Sequence, residues 1–123
     1  MAGREQQWVT GFMPTSEVVK GAVTACDMAV YAHFLAQPGH LPASIQWFAT
    51  LPQDVEDNAI YQQTKLTMPV LAVGASGNLG SREATWVGQY ATDVTGVVVP
   101  DSGHWLYQEH PAELAGILLR FLG

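Results

Sequence analysis

Two short runs that are apolar without interruption, VLAV at 70–73 and VVV at 97–99, constrain the fold more than anything else in this 123-residue chain. β-Branched residues with no polar alternation suit strands covered on both faces, the environment of a parallel sheet. Between them SREATWVGQYA, 81–91, fits a helix, with Ser81 as N-cap and Trp86, Val87 and Tyr90 on one face. Strand, helix and strand make a βαβ unit with a right-handed crossover. In open parallel sheets chemistry gathers beyond the carboxyl ends of the strands. The glycine-rich loop GASGNLG, 74–80, and the segment Asp101-Ser102-Gly103-His104-Trp105 both fall there.

Everything upstream reads as helix. Residues 4–12 place Trp8, Val9 and Phe12 on one side and stop before Pro14. Thr24 and Asp27 fit a capping box, and Met28, Tyr31, Ala32 and Leu35 follow at helical spacing until Pro38-Gly39. A third piece, SIQWFATL, lies between Pro42 and Pro52, and QDVEDNAIYQQT after it has the acidic first turn that suits a helix N-terminus. The helical pieces give way to strands near 63–67, which divides the chain into a helical segment 1–63 and an α/β segment 64–123. At the far end Pro111 suits a first helical position, and Leu114, Ile117, Leu118, Phe121 and Leu122 form a stripe that must be buried on a sheet.

Composition excludes several functions. With Lys+Arg 5 against Asp+Glu 11 the net charge is -6, so no basic surface exists to neutralise nucleic-acid phosphates or anionic lipid. No apolar run approaches a membrane span and MAGREQQWV has no hydrophobic signal core, so the expected compartment is the cytoplasm. Cys26, the sole cysteine, reads as a small buried apolar residue. His33, His40 and His110 read as ordinary polar residues, and no metal-ligand spacing is present.

The stretch YATDVTGVVVPDSGHWLYQEHPAELAGILLRFL, 90–122, resembles the C-terminal end of α/β-hydrolase fold enzymes, especially the epoxide-hydrolase-like branch. The resemblance continues through KLTMPVLAVG and, more weakly, through a cap-like segment upstream. It implies a partial α/β-hydrolase fold: a helical cap remnant over 1–63, then the C-terminal portion of the core over 64–123. It also implies that His104, within Gly103-His104-Trp105, matches the family's catalytic base, in a hydrolase acting on a small molecule through a covalent intermediate without cofactor or metal. On its own chemistry an imidazole in a loop beyond a strand end can take a proton near neutral pH.

The rest of that machinery does not follow. No nucleophile elbow of the G-x-S-x-G kind lies in these residues; Ser76 is the nearest imitation, with Asn78 where the pattern has glycine. GASGNLG has no acid to serve as third triad member, while Asp101 reads as a turn residue and Asp93 as a loop residue. Phe48 aligns with a cap tyrosine that in epoxide hydrolases donates to the opening ring, and it has no hydroxyl; Tyr31 and Tyr61 are substitutes, with core packing favoured for Tyr31. The expected product is therefore a part inactive by itself. Two alternatives stand beside it. VLAVGASGNLG is similar to the glycine loop of NAD(P)-binding Rossmann-like proteins, against the plainer reading in which Gly74, Gly77 and Gly80 supply only backbone freedom. A noncatalytic interaction module would instead use an unfinished sheet edge, through which the chain could also self-associate.

Overall fold

Four helices precede any strand, as the patterning predicts. The computed structural model describes residues 3–123. Helix α1 (Glu5–Phe12) runs into a 3-10 turn, Met13–Ser16, that accommodates Pro14, and α2 (Ala25–Leu35) follows after an irregular loop. The capping box forms as read: Thr24 accepts from the Asp27 backbone, and the Asp27 carboxylate accepts from the Thr24 backbone. That hydrogen bonding, from the Thr24 side chain first and its backbone second, holds the exposed Asp27 carboxyl below its ordinary pKa against a small opposing effect of desolvation. Val9, Met13, Val23 and Ala32 form a buried cluster, with Trp8, Met28, Tyr31, Leu35 and Trp105 packed around it. The first helix therefore has a partner, supplied by α2 and by a tryptophan from the far end of the sequence.

Helices α3 (His40–Ala49) and α4 (Leu51–Tyr61) each begin slightly before the sequence reading places them. Pro42 and Pro52 fall in first turns, where a missing N–H costs nothing. These two helices bury little. Leu41 is the one buried residue of α3 and α4 has none, while Trp47, Phe48, Val55 and Ile60 lie open to solvent.

Strands β1 (Val70–Ala75) and β2 (Val94–Val99) pair in parallel, with Val70 opposite Val94 and Ala75 opposite Val99. An isolated parallel bridge, Leu66 to Ala91, extends the pairing upstream. The crossover helix α5 (Arg82–Val87) is shorter than its pattern suggests. Ser81 stands at the N-cap as read but makes no side-chain cap bond, and Trp86 is half exposed instead of covered. The helix stops at Gly88 after six residues, so the face that Trp86, Val87 and Tyr90 would have shared is never completed. Close packing of α5 on the sheet runs through Ala84, whose methyl sits where a Cβ on Gly96 would go.

A single turn, α6 (Leu106–Glu109), leads into α7 (Pro111–Leu122). Leu114 and Ile117 are buried, Leu118 and Phe121 partly so, and Leu122 is exposed. The stripe is thus covered at its start and bare at its end, where it borders a groove with Leu71 and Val73 of β1. Two fully buried residues of this size stabilise by about 3 to 6 kcal/mol before entropy. Cys26 is exposed, contrary to the burial expected of it: α2 contributes Ala32, Met28, Tyr31 and Leu35 to the core it shares with α1, and Cys26 is not among them.

Candidate active site

The chain beyond β2 turns sharply. Asp101 takes φ 48, the one positive φ outside glycine among the described residues, as suits a short polar side chain after Pro100. Ser102 is fully buried: its hydroxyl donates to the Val99 carbonyl at 2.7 Å and accepts from the Ser76 N–H at 3.3 Å. Gly103 and His104 follow, and the His104 N–H donates to the Ser16 carbonyl at 3.0 Å. Trp105 anchors the end of the segment, its indole N–H donating to the Met13 carbonyl at 2.8 Å and its ring meeting the His104 imidazole edge-on at 4.6 Å. His104 itself is exposed, bordering a small polar recess with Ser16, Gly77 and Asn78.

What fixes this segment is Glu109, which sequence reasoning did not single out. Its carboxylate is buried, and Oε2 accepts from the N–H groups of Val18, Val19 and Gly103 at 3.0, 2.9 and 2.9 Å while Oε1 accepts from Trp105 at 3.1 Å. One side chain thus ties the loop after the 3-10 turn to both neighbours of His104. Burial pushes its pKa up, but the four backbone donors of Val19, Val18, Trp105 and Gly103 together outweigh that, and the net shift is downward. Gly103 is required by closeness: a Cβ there would lie 2.6 Å from the Ser16 carbonyl oxygen and 2.7 Å from Glu109 Oε1. Glu17 does a similar service nearby, accepting from the N–H groups of Gly21 and Val23.

The glycine loop is likewise bound up with its own chain. Ser76, Gly77, Asn78 and Gly80 donate their N–H groups to Val99, Ser102, Ala75 and Ala75. Those donors are spent, so they are not on offer to a pyrophosphate, which speaks against the dinucleotide reading. Only Gly80 uses a positive φ. Gly74 and Gly77 are needed for close approach instead: a Cβ on the first would strike the Gly80 carbonyl, and on the second would lie 2.7 Å from Val18 and 2.8 Å from the Ser102 carbonyl oxygen. Backbone freedom alone therefore does not account for the three glycines.

From this loop Asn78 reaches the imidazole, its side-chain amide 3.0 Å from His104 Nδ1. The other candidates are elsewhere. Tyr31 OH accepts from Gln108 at 2.6 Å and its ring packs on the helical core, as its favoured reading had it. Tyr61 borders a different recess with Leu66 and Tyr90, and Phe48 is exposed on α3. His110 is more than a surface residue, since Nε2 donates to the Asp101 carbonyl at 3.1 Å and Nδ1 lies 3.6 Å from Glu113. Asp93 ends a loop whose carbonyl accepts from Val70, and no group of metal-ligating side chains occurs among the described residues.

The overall arrangement matches solved proteins closely. Over 94% of this chain it superposes on 41% of the epoxide hydrolase CorEH with a TM-score of 0.87 and 29% identity. The chain has the fold of the C-terminal part of an α/β-hydrolase, of the epoxide-hydrolase-like branch. Cfl2 from Burkholderia cenocepacia gives a TM-score of 0.86 at 25% identity, over 97% of this chain and 41% of that one. In sequence, a soluble epoxide hydrolase from Corynebacterium sp. (strain C12) is 33% identical over 95 residues, which are 77% of this chain and 33% of that protein. The chain therefore spans about a third of that curated relative's length. No family model matches it.

Proposed function

We propose that this chain is the base-bearing part of a cofactor-independent hydrolase, with residues 1–63 as cap-like segment, 64–123 as the end of the core and His104 as the catalytic base. The observation that carries the reading is the placement of the imidazole: it stands beyond the carboxyl end of β2, and a side chain from the loop beyond β1 is bonded to its Nδ1. A ring held at one nitrogen and open to solvent at the other can pass a proton at Nε2. The chemistry is hydrolysis of a small molecule through a covalent enzyme intermediate, with the nucleophile and oxyanion hole contributed from outside these residues. Epoxide opening is disfavoured, because Phe48 has no hydroxyl, Tyr31 packs on the helical core, and Tyr61 borders a recess with Leu66 and Tyr90 that does not include His104. Among the described residues no helix is long and apolar enough to cross a membrane, and the reading places the protein in the cytoplasm.

By itself the chain is expected to show no turnover above background on activated esters, epoxides or haloacids. Ser76 is the serine of the GASGNLG loop, and its neighbourhood does not activate it: the His104 ring bonds Asn78 instead. Activity that survives purification and is lost in Ser76→Ala would defeat the proposal.

A second reading rests on exposed surface. The described sheet has two strands, each with one unpaired edge, and large apolar side chains on α3, α4 and α7 face solvent. Unpaired edges and bare apolar faces recruit other chains. Self-association follows as a prediction: gel filtration should give an oligomer or a concentration-dependent elution volume, and a sharp monomer peak across a hundredfold dilution would exclude it.

A further inference from the structure

The loop beyond β1 contains no acid, yet His104 Nδ1 is not left unpartnered. We propose that Asn78 is the positioning residue of His104, holding the imidazole through a neutral amide, so that the ring is oriented without a counter-charge and without a dictated tautomer. This rests on the reading of His104 as base only for its catalytic consequence; the contact itself stands on geometry.

Both ends of the contact are anchored. Asn78 sits in a turn closed by its own N–H and that of Gly80 on the Ala75 carbonyl, at 3.0 and 2.9 Å, and its carbonyl accepts from the Arg82 guanidinium at 3.3 Å. His104 is held by Ser16 through its N–H, by the Trp105 ring, and by Glu109 acting on the residues either side. The charged groups on the surrounding elements are engaged with backbone. Arg82 bonds the carbonyls of Leu79 and Asn78, Lys20 those of Pro14 and Glu17, and the carboxylates of Glu17 and Glu109 accept backbone N–H groups. Asp101 is exposed and the His110 ring is turned to its carbonyl. The amide is the side-chain partner the imidazole has.

A carboxylate at this place would accept from Nδ1–H, leave the lone pair on Nε2 and pair with the imidazolium. An amide serves either form. Its NH2 can donate to an unprotonated Nδ1, which puts the proton on Nε2, or its oxygen can accept from Nδ1–H, which leaves Nε2 free to act as base. Only the second form takes a proton at the solvent-facing nitrogen.

Nitrogen-15 spectra of the histidine rings, recorded against pH on the 123-residue chain beside circular dichroism, test this directly. Asn78→Asp should raise the His104 titration midpoint by about one unit and move Nδ1 to the position of a protonated nitrogen. Asn78→Ala should leave the averaged nitrogen positions near those of the parent while freeing the ring, read as faster ring relaxation, with His110 unchanged in either variant. A His104 ring that responds to neither substitution, in whichever variant keeps the parent circular dichroism spectrum, overturns the proposal. Because the readout is the imidazole and not turnover, failure here is distinct from failure of His104 as base, which shows only in the kinetics of a completed enzyme.

Discussion

In an enzyme completed with the nucleophile-bearing half of a related hydrolase, His104→Ala lowers kcat by about three orders of magnitude or more while circular dichroism and melting temperature stay at the parent values. The fold tolerates the change because the ring is exposed and the backbone of the segment is held by Ser16 and Glu109, not by the imidazole. The step that is lost depends on the nucleophile supplied. With an aspartate nucleophile the first half-reaction needs no base: the carboxylate attacks the substrate carbon and an ester forms as the carbon–heteroatom bond breaks. Hydrolysis of that ester then needs water deprotonated at Nε2, and the imidazolium returns its proton to the departing alcohol oxygen. Labelled intermediate should therefore accumulate in the His104→Ala enzyme after rapid mixing. A variant with normal turnover would make the histidine structural, and one that forms no intermediate despite an unchanged fold would remove it from water activation.

Glu109→Gln is expected to destabilise the chain by about 2 to 4 kcal/mol, read as a lower urea midpoint. A glutamine oxygen in the place of Oε2 can accept from Val18, Val19 and Gly103 only without the charge that strengthens those bonds, and its NH2 then faces the Trp105 N–H donor to donor. The same site sets an acid dependence. Its folded pKa lies below the ordinary value, so its contribution is complete above the unfolded carboxylate range near about 4.3 and is lost as pH falls through the lower folded value. The parent should lose stability on acidification from about pH 5 downward, and Glu109→Gln should flatten that slope. An unchanged slope would place the acid sensitivity in other carboxylates.

Local signals in the sequence carried a good part of this structure. The Thr24–Asp27 cap, the pairing of the two valine-rich strands and the helix of α7 each depend on residues a few positions apart and formed as read, although Val98 of β2 and Leu122 at the end of the α7 stripe stay exposed where burial was expected. Two expectations fail for want of information on packing. The face assigned to Trp86 belongs to a longer helix than the one that forms, and the residue type of Cys26 does not tell which side of α2 meets α1. Asn78 is legible in the sequence only as a departure from a serine motif, because the imidazole of a triad calls for an acid and here an amide meets the same nitrogen. Glu109 had no local mark at all. A glutamate before His110-Pro111 looks like surface charge until residues 18 and 19 are brought to it.

Those partners lie 91 and 90 positions away along the chain. Contacts of such separation form late, since the entropy of closing the intervening loop must be met before they return anything. The βαβ unit can pair its strands while residues 16–19 are still undocked, and in that state the His104 segment has a sheet beneath it but only part of its anchorage. Folding order thus separates two events that a finished structure shows together: assembly of the sheet, and the setting of the imidazole. Hydrogen exchange should show the N–H groups of Val18, Val19, Gly103 and Trp105 protected as one cooperative set, opening more readily than the strands, so that loosening at the first helix is felt at the histidine before the sheet gives way.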